Sequence, residues 1–143
     1  MNNLLELIKL REETLEQILQ ALLSAPTFRF DRNLKSNLPT KPGLYAVSKL
    51  EAPCGEYLRA GLSERGKKGL RGRIWDQHYQ TGGSRSSDLI EIVQRKKHAN
   101  SPSEARLWIR ENCQVQWIVE EDSTLLRWAE HRVLSAVQPI WGQ

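Results

Sequence analysis

Gly43-Leu44-Tyr45-Ala46-Val47-Ser48 and Glu56-Tyr57-Leu58-Arg59-Ala60-Gly61-Leu62 are the two stretches that decide the fold. Both read as short strands, and Pro53 and Gly55 between them predict a hairpin. Side chains alternate along a strand, so Tyr57, Arg59 and Gly61 are expected on one face. If the hairpin pairs Tyr45 with Arg59, these two side chains become cross-strand neighbours on that face.

Helical patterns surround the hairpin. Residues 3–24 carry Leu4, Ile8, Leu15, Ile18 and Leu22 at helical spacing, and Ala25-Pro26 ends the run. Residues 26–42 hold Pro26, Pro39 and Pro42 and read as irregular chain. After the hairpin, Gly66 and Gly69 lead into a helix at about 70–79, which Gly82-Gly83 closes. A second helix is predicted at about 87–97. A third begins at Ser101-Pro102-Ser103-Glu104, a capping box with proline at the first helical position. Val115 to Glu120 reads as a further strand, and a last helix spans about 124–137, with Pro139 stopping it. This order predicts a small α/β sandwich built on a mainly antiparallel sheet. Residues 1–40 are expected to form an amphipathic helix and linker packed on a domain of residues 41–143.

The 143 residues fit one compact domain, and 39% hydrophobic with 27% charged residues excludes a disordered chain. No apolar run reaches the length of a membrane helix, and the N-terminus lacks a signal-peptide layout. The expectation is therefore a cytoplasmic protein with no membrane partner. Cys54 and Cys113 lie far apart, and no Cys/His cluster has zinc spacing, which argues for two reduced thiols. A net charge of +4 favours a polyanionic partner weakly. Its distribution says more, because Lys67, Lys68 and Arg71 lie between Arg65 and Arg73 with no acid among them.

Glu130 is the most informative single residue. It sits four after Leu126 and three before Val133, inside the apolar stripe of the last helix. A carboxylate facing a core needs a compensating cation. A magnesium ion meets that need, and so does a structural ion pair with an arginine or a stripe edge that reaches water. On the helix after the basic loop, Leu70 and Ile74 can face the core with Arg73 beside them. Arg71, Trp75 and His78 form a second row. A guanidinium there could clamp a phosphate, and a surface charge is the plainer alternative.

Together these segments resemble the GIY-YIG nuclease family, which includes the excinuclease C subunit and several homing and restriction endonucleases. The resemblance covers roughly residues 41–143. Pro42-Gly43-Leu44-Tyr45 resembles the first signature, and Arg59-Ala60-Gly61-Leu62-Ser63 the second. Leu70-Arg71-Gly72-Arg73-Ile74 is similar to the helix bearing the family's essential arginine, placed at Arg73. Glu130, followed by Pro139, resembles the metal-binding glutamate and the proline after its helix. Three positions depart from the pattern. Arg59 stands where the second tyrosine is usual, with Tyr57 two residues earlier. Gln77 stands four after the arginine, where His or Tyr is common, and His78 and Tyr79 follow it. Gly142 stands where an asparagine is usual.

The resemblance implies a three-stranded sheet flanked by helices and a phosphodiester hydrolase that uses one Mg2+ or Mn2+ ion held by Glu130. It assigns Tyr45 to orienting or deprotonating water, with aid from His78 or Tyr57, and Arg73 to the charged transition state, with Arg59 adding to it. DNA is the expected partner, RNA being an alternative, and Lys67, Lys68, Arg71 and Arg85 are expected to meet its phosphates. With no zinc finger or helix-turn-helix reader, weak sequence preference, recognition of DNA shape, or a targeting protein partner is expected. A fold of this type that binds DNA without cutting it, or serves as a protein-interaction module through its leading helix, is the alternative.

Overall fold

The computed structural model describes residues 3–50, 57–63, 68–81 and 89–137. Helix α1 (Asn3–Ser24) is followed by the short strand β1 (Phe28–Arg29), one turn of helix α2 (Leu34–Asn37), and strands β2 (Gly43–Lys49) and β3 (Tyr57–Ser63). Helix α3 (Gly69–Arg71) runs directly into a π-helix (Gly72–Thr81). Helices α4 (Leu89–Arg95) and α5 (Pro102–Asn112), strand β4 (Cys113–Val119) and helix α6 (Ser123–Val137) complete the order.

The sheet has four strands in the order β1-β4-β2-β3, and every pairing is antiparallel. The fourth strand corrects the expectation of three. Phe28 and Arg29 lie in a segment expected to be irregular, yet they pair with Val115 and Gln114 at the β4 edge. Two contacts fix them there. Phe28 stacks on Trp117 at 4.8 Å between ring centroids, and an Arg29 Nη donates to the Arg110 carbonyl at 2.9 Å.

Alternation along β2 gives the sheet two apolar faces. Tyr45 and Val47 face a core with Phe30, Leu58, Ile74, Ile92, Ile109 and Val115, covered by the π-helix, α4 and α5. Leu44 and Ala46 face a second core with Leu15, Ile18, Leu22, Ala60, Leu126 and Val133, covered by α1 and α6. The predicted α/β sandwich thus has helices on both faces of an antiparallel sheet. The N-cap half of the predicted capping box forms. The Ser101 hydroxyl accepts from the Glu104 amide at 3.2 Å, and Pro102 opens α5.

The N-terminal helix divides in two. Leu15, Ile18 and Leu22 are buried, whereas Leu4 and Ile8 remain 64% and 44% exposed, so the expected stripe packs on the domain only along its second half. Leu22→Ala is therefore expected to destabilise by about 2–5 kcal/mol, and Leu4→Ala by less than about 0.5 kcal/mol. Equal losses in chemical denaturation would show that the first half of α1 packs as tightly as the second.

Cys113 opens β4 with no exposed surface, while Cys54 lies outside the described residues. Burial pushes the Cys113 thiol up to about 12 from its ordinary 9.0, and the charge of Lys49 offsets this in part. The neutral thiol is thus favoured in the fold, while an unfolded thiol ionises first. The sign is definite: this contribution is intact below about 9 and is lost as pH rises from there towards 12. A thiol reagent is expected to label Cys113 only after denaturation. Rapid labelling of the native protein would contradict the burial.

Candidate active site

The candidate site is built on β2, β3 and the π-helix. Tyr45 leaves β2 towards the core under the π-helix and is wholly buried. Its hydroxyl lies 2.6 Å from His78 Nε2, with the two rings edge to face at 5.3 Å. His78 is also fully buried, and its Nδ1 accepts from the Leu89 backbone amide at 2.8 Å. The histidine thus ties β2 to the start of α4.

The π-helix explains how position 78 comes to face the sheet. In an α-helix residues four apart lie one above the other, which would favour Gln77 as the residue above Arg73. A π-helix closes its hydrogen bonds between residues five apart. Arg73 and His78 are separated by five, so the wider turn brings His78 nearer to the side of Arg73 than an α-helix would. Gln77 is used differently, its side-chain oxygen accepting from an Arg73 Nη at 2.7 Å. Leu70 and Ile74 are fully buried, as their spacing predicts, and Arg73 is half-buried beside them.

The register of the hairpin corrects the expected pairing. Tyr45 pairs with Gly61, and Arg59 pairs with Val47. Two residues along each strand restores the same face, so Tyr45 and Arg59 are diagonal neighbours. Gly61 is what lets them approach. A Cβ at this position would lie 2.9 Å from the Tyr45 hydroxyl and 3.4 Å from an Arg59 Nη, so both side chains lie over Gly61. An Arg59 Nη also donates to the carbonyl of Ala60.

Tyr57 does not join them. The register slips between Val47 and Ser48, whose partners are Arg59 and Tyr57, so Leu58 is an extra residue in β3. Such a bulge reverses the alternation beyond it. Leu58 therefore packs in the core with Tyr45, and Tyr57 packs on the opposite face against the α1–α6 core. The expected common face of Tyr57, Arg59 and Gly61 is corrected accordingly.

Glu130 lies on that opposite face as well. On α6, Leu126, Ala129 and Val133 are buried against the sheet. Arg11 over Trp128 at 5.5 Å and Arg132 beside Glu12 at 3.4 Å place α1 along one flank of α6. Glu130, half-buried, is on the other flank, towards β3, the edge strand of the sheet. Among the described residues no hydrogen bond or ion pair to Glu130 is found, so none of the described arginines forms the structural ion pair that its place in the stripe allowed. The described residues contain no group of three or more His, Cys, Asp or Glu side chains able to hold a metal ion. Among the described residues Glu130 is thus an unpaired, half-buried carboxylate on the flank of α6, on the opposite face of the sheet from Tyr45, an arrangement open to a metal ion or to the stripe edge that reaches water.

The basic residues are engaged more than their sequence suggests. Lys68 pairs with Asp76 at 3.2 Å, an exposed pair of small energetic weight. The Nε of half-buried Arg71 donates to the Leu38 carbonyl at 2.9 Å, and its own amide donates to the Pro39 carbonyl at 3.0 Å. Arg71 therefore anchors the segment before β2. Lys67 and Arg85 lie outside the described residues, as do Pro139 and Gly142.

The contributions of the Leu89 amide and of Asp76 were not singled out from the sequence, whereas Gly61 was read there as part of the second signature. Of the first two, only Asp76 carried a signal, since it is an acid on the predicted helix within reach of the basic loop. Comparison with protein-family models, with curated proteins and with solved structures gives no match.

Proposed function

We propose that this protein is a metal-dependent endonuclease of the GIY-YIG type that hydrolyses phosphodiester bonds in DNA. The observation that carries this reading is the 2.6 Å bond between Tyr45 and His78, with Arg59 beside the phenol over Gly61. A phenol, an imidazole and a guanidinium group, three of the residue types that the chemistry requires, lie together on one face of the hairpin, and Arg73 stands on the same π-helix as His78. Glu130 supplies the fourth from the opposite face of the sheet.

A single carboxylate suits Mg2+ or Mn2+, which commonly binds through one or two carboxylates and completes its shell with water and substrate phosphate. Glu130 fits this role, having no cationic partner among the described residues. The bound ion would stabilise charge growing on the leaving oxygen. The protein's own residues do the rest. Tyr45 orients the attacking water, and His78 holds the phenol in place. Arg73 and Arg59 stabilise the charge on the phosphate oxygens. Tyr57, on the opposite face, takes no part at the Tyr45 centre.

The reading is tested with Tyr45→Phe and Arg73→Ala, assayed for cleavage and for DNA binding. Each is expected to lower cleavage by about 10²–10³-fold, with binding changed far less. Unchanged cleavage in either variant removes that residue from the mechanism. A second reading is favoured by one observation, the complete burial of Tyr45 and His78. In it the same fold binds nucleic acid without cutting, and the buried pair only ties β2 to α4.

A further inference from the structure

At the end of α4 away from His78 the chain turns through a Schellman motif. The Lys97 amide donates to the Gln94 carbonyl at 2.9 Å and the His98 amide to the Val93 carbonyl at 3.1 Å, the two bonds that close such a motif. Lys97 takes its left-handed position, at φ 65°, and is the one non-glycine residue with positive φ among the described residues. Glycine serves that position without strain, because a side-chain Cβ there crowds the following carbonyl oxygen. Local stability therefore does not account for a lysine at 97, and what lysine adds is charge. Arg95, in the last turn, already answers the negative end of the helix. Arg95, Lys96, Lys97 and His98 are all exposed, and no acid occurs in the chain between Glu91 and Glu104. The turn is also held in place. The His98 ring lies 4.6 Å from that of Trp108 on α5, Ala99 is buried, and Ser101 caps α5. Lys96 and Lys97 thus stand on a fixed tip, which lowers the ordering cost of binding.

We propose that the α4–α5 turn is a second phosphate contact for duplex DNA, with Lys96 and Lys97 as its cations. A phosphate backbone is a dense line of negative charge, and lysines meet it without reading bases. The placement suits the candidate site. Helix α4 covers the same face of the sheet as Tyr45, and its Leu89 amide bonds to His78. From Leu89 to Lys97 the chain advances about 12 Å at the helical rise, close to the width of the major groove. The turn therefore reaches a phosphate across a groove from one held near Tyr45. This contact rests on the DNA reading above and extends it beyond the hairpin and the basic loop.

Lys97→Gly separates this role from a structural one. Glycine relieves the left-handed strain, so the variant is expected to melt about 2–5 °C higher. At the same time it is expected to bind a duplex oligonucleotide about 3–10-fold more weakly, with the dependence of log Kd on log salt concentration shallower by about one. Binding is read on the full chain in chelator, so that no cutting intervenes. Adding Lys96→Gln to Lys97→Gly is expected to make the slope shallower by about two. Lys9→Gln removes the same charge from α1, which covers the opposite face of the sheet, and is expected to leave the slope unchanged. Unchanged affinity and slope in Lys97→Gly, whatever its stability, overturn the proposal. So does an equal loss in Lys9→Gln, which marks an effect of net charge, and so does a loss seen with an RNA duplex of the same length but not with DNA. A parent that cuts nothing, yet loses slope in Lys97→Gly, supports the contact and overturns the nuclease reading alone. A parent that binds no duplex overturns both.

Discussion

Replacing Glu130 with alanine is expected to reduce DNA cleavage by about 10³-fold or more while leaving duplex binding largely intact. The size of the effect follows from the role proposed for the carboxylate. Losing one hydrogen-bond donor at a charged transition state costs about 10²–10³-fold. Losing the anchor of a divalent ion removes a larger charge from the same place. Folding is not the source of the loss. Glu130 is half-buried on the flank of α6, and Leu126, Ala129 and Val133 carry the packing against the sheet. Removal of a carboxylate from an apolar flank is expected to leave the melting temperature unchanged or to raise it. The combination of retained or increased stability with lost cleavage is the signature of a ligand-binding carboxylate. A fall in stability with cleavage preserved would instead mark Glu130 as a structural residue whose partner lies elsewhere.

A large effect on stability is also expected from Gly43→Ala. Gly43 opens β2 and is flanked on both sides, pairing with Ser63 of β3 and Val119 of β4. A Cβ there would meet the Ile118 carbonyl oxygen at 2.1 Å and a methyl of Leu70 at 2.7 Å. Neither neighbour can give way cheaply. The Ile118 carbonyl is part of the β4 backbone, and Leu70 is fully buried where α3 leaves Lys41. Relief requires shifting the central ladder or the start of the arginine-bearing helix, and such overpacking of a core costs about 1–3 kcal/mol, or more where backbone must move. The glycine of the first signature is thus a steric requirement of the fold. Denaturation of Gly43→Ala should show this loss, together with weakened cleavage, because α3 and the π-helix move with Leu70. A loss below about 1 kcal/mol would mean that the β4 backbone yields there more readily than its pairing suggests.

The sequence made the large elements readable because each carries its own local signal. The stripe Leu15, Ile18 and Leu22, the box at Ser101 and the strand run of β2 all appear where their spacing places them. What escaped depends on contacts between distant segments. Phe28 and Arg29 become a strand only because β4 offers an open edge and Trp117 a ring to stack on. The bulge at Leu58 obeys no local rule either. It puts Leu58 into the core beside Tyr45 and turns Tyr57 to the other face, which alternation alone could not foresee.

The candidate site shows the same division. Tyr45 and Arg73 were legible from the resemblance to a nuclease signature, and Glu130 from its anomalous place in an apolar stripe. His78 was legible as a residue type but out of register, since an α-helical reading favours Gln77. The π-helix brings position 78 nearer to the side of Arg73 than an α-helix would, and its hydrogen-bond pattern is not written in the residue types of Gly72–Thr81. The Leu89 amide could not be read at all, because every residue except proline has one and only the tertiary fold brings this one to His78. The basic loop misled in the opposite sense. Lys68 and Arg71 read as phosphate ligands, yet Asp76 and the Leu38 carbonyl already engage them.

The central claim is that this fold cuts DNA with a metal held by Glu130. It is tested most directly by nicking of supercoiled plasmid and branched oligonucleotides in magnesium, in manganese and in chelator, with the parent protein and Glu130→Ala side by side. Nicking by the parent in either metal, none in chelator, and none by the variant is the expected result. Cleavage that persists in chelator or in Glu130→Ala, or a parent protein that binds these substrates and cuts none of them, would contradict it.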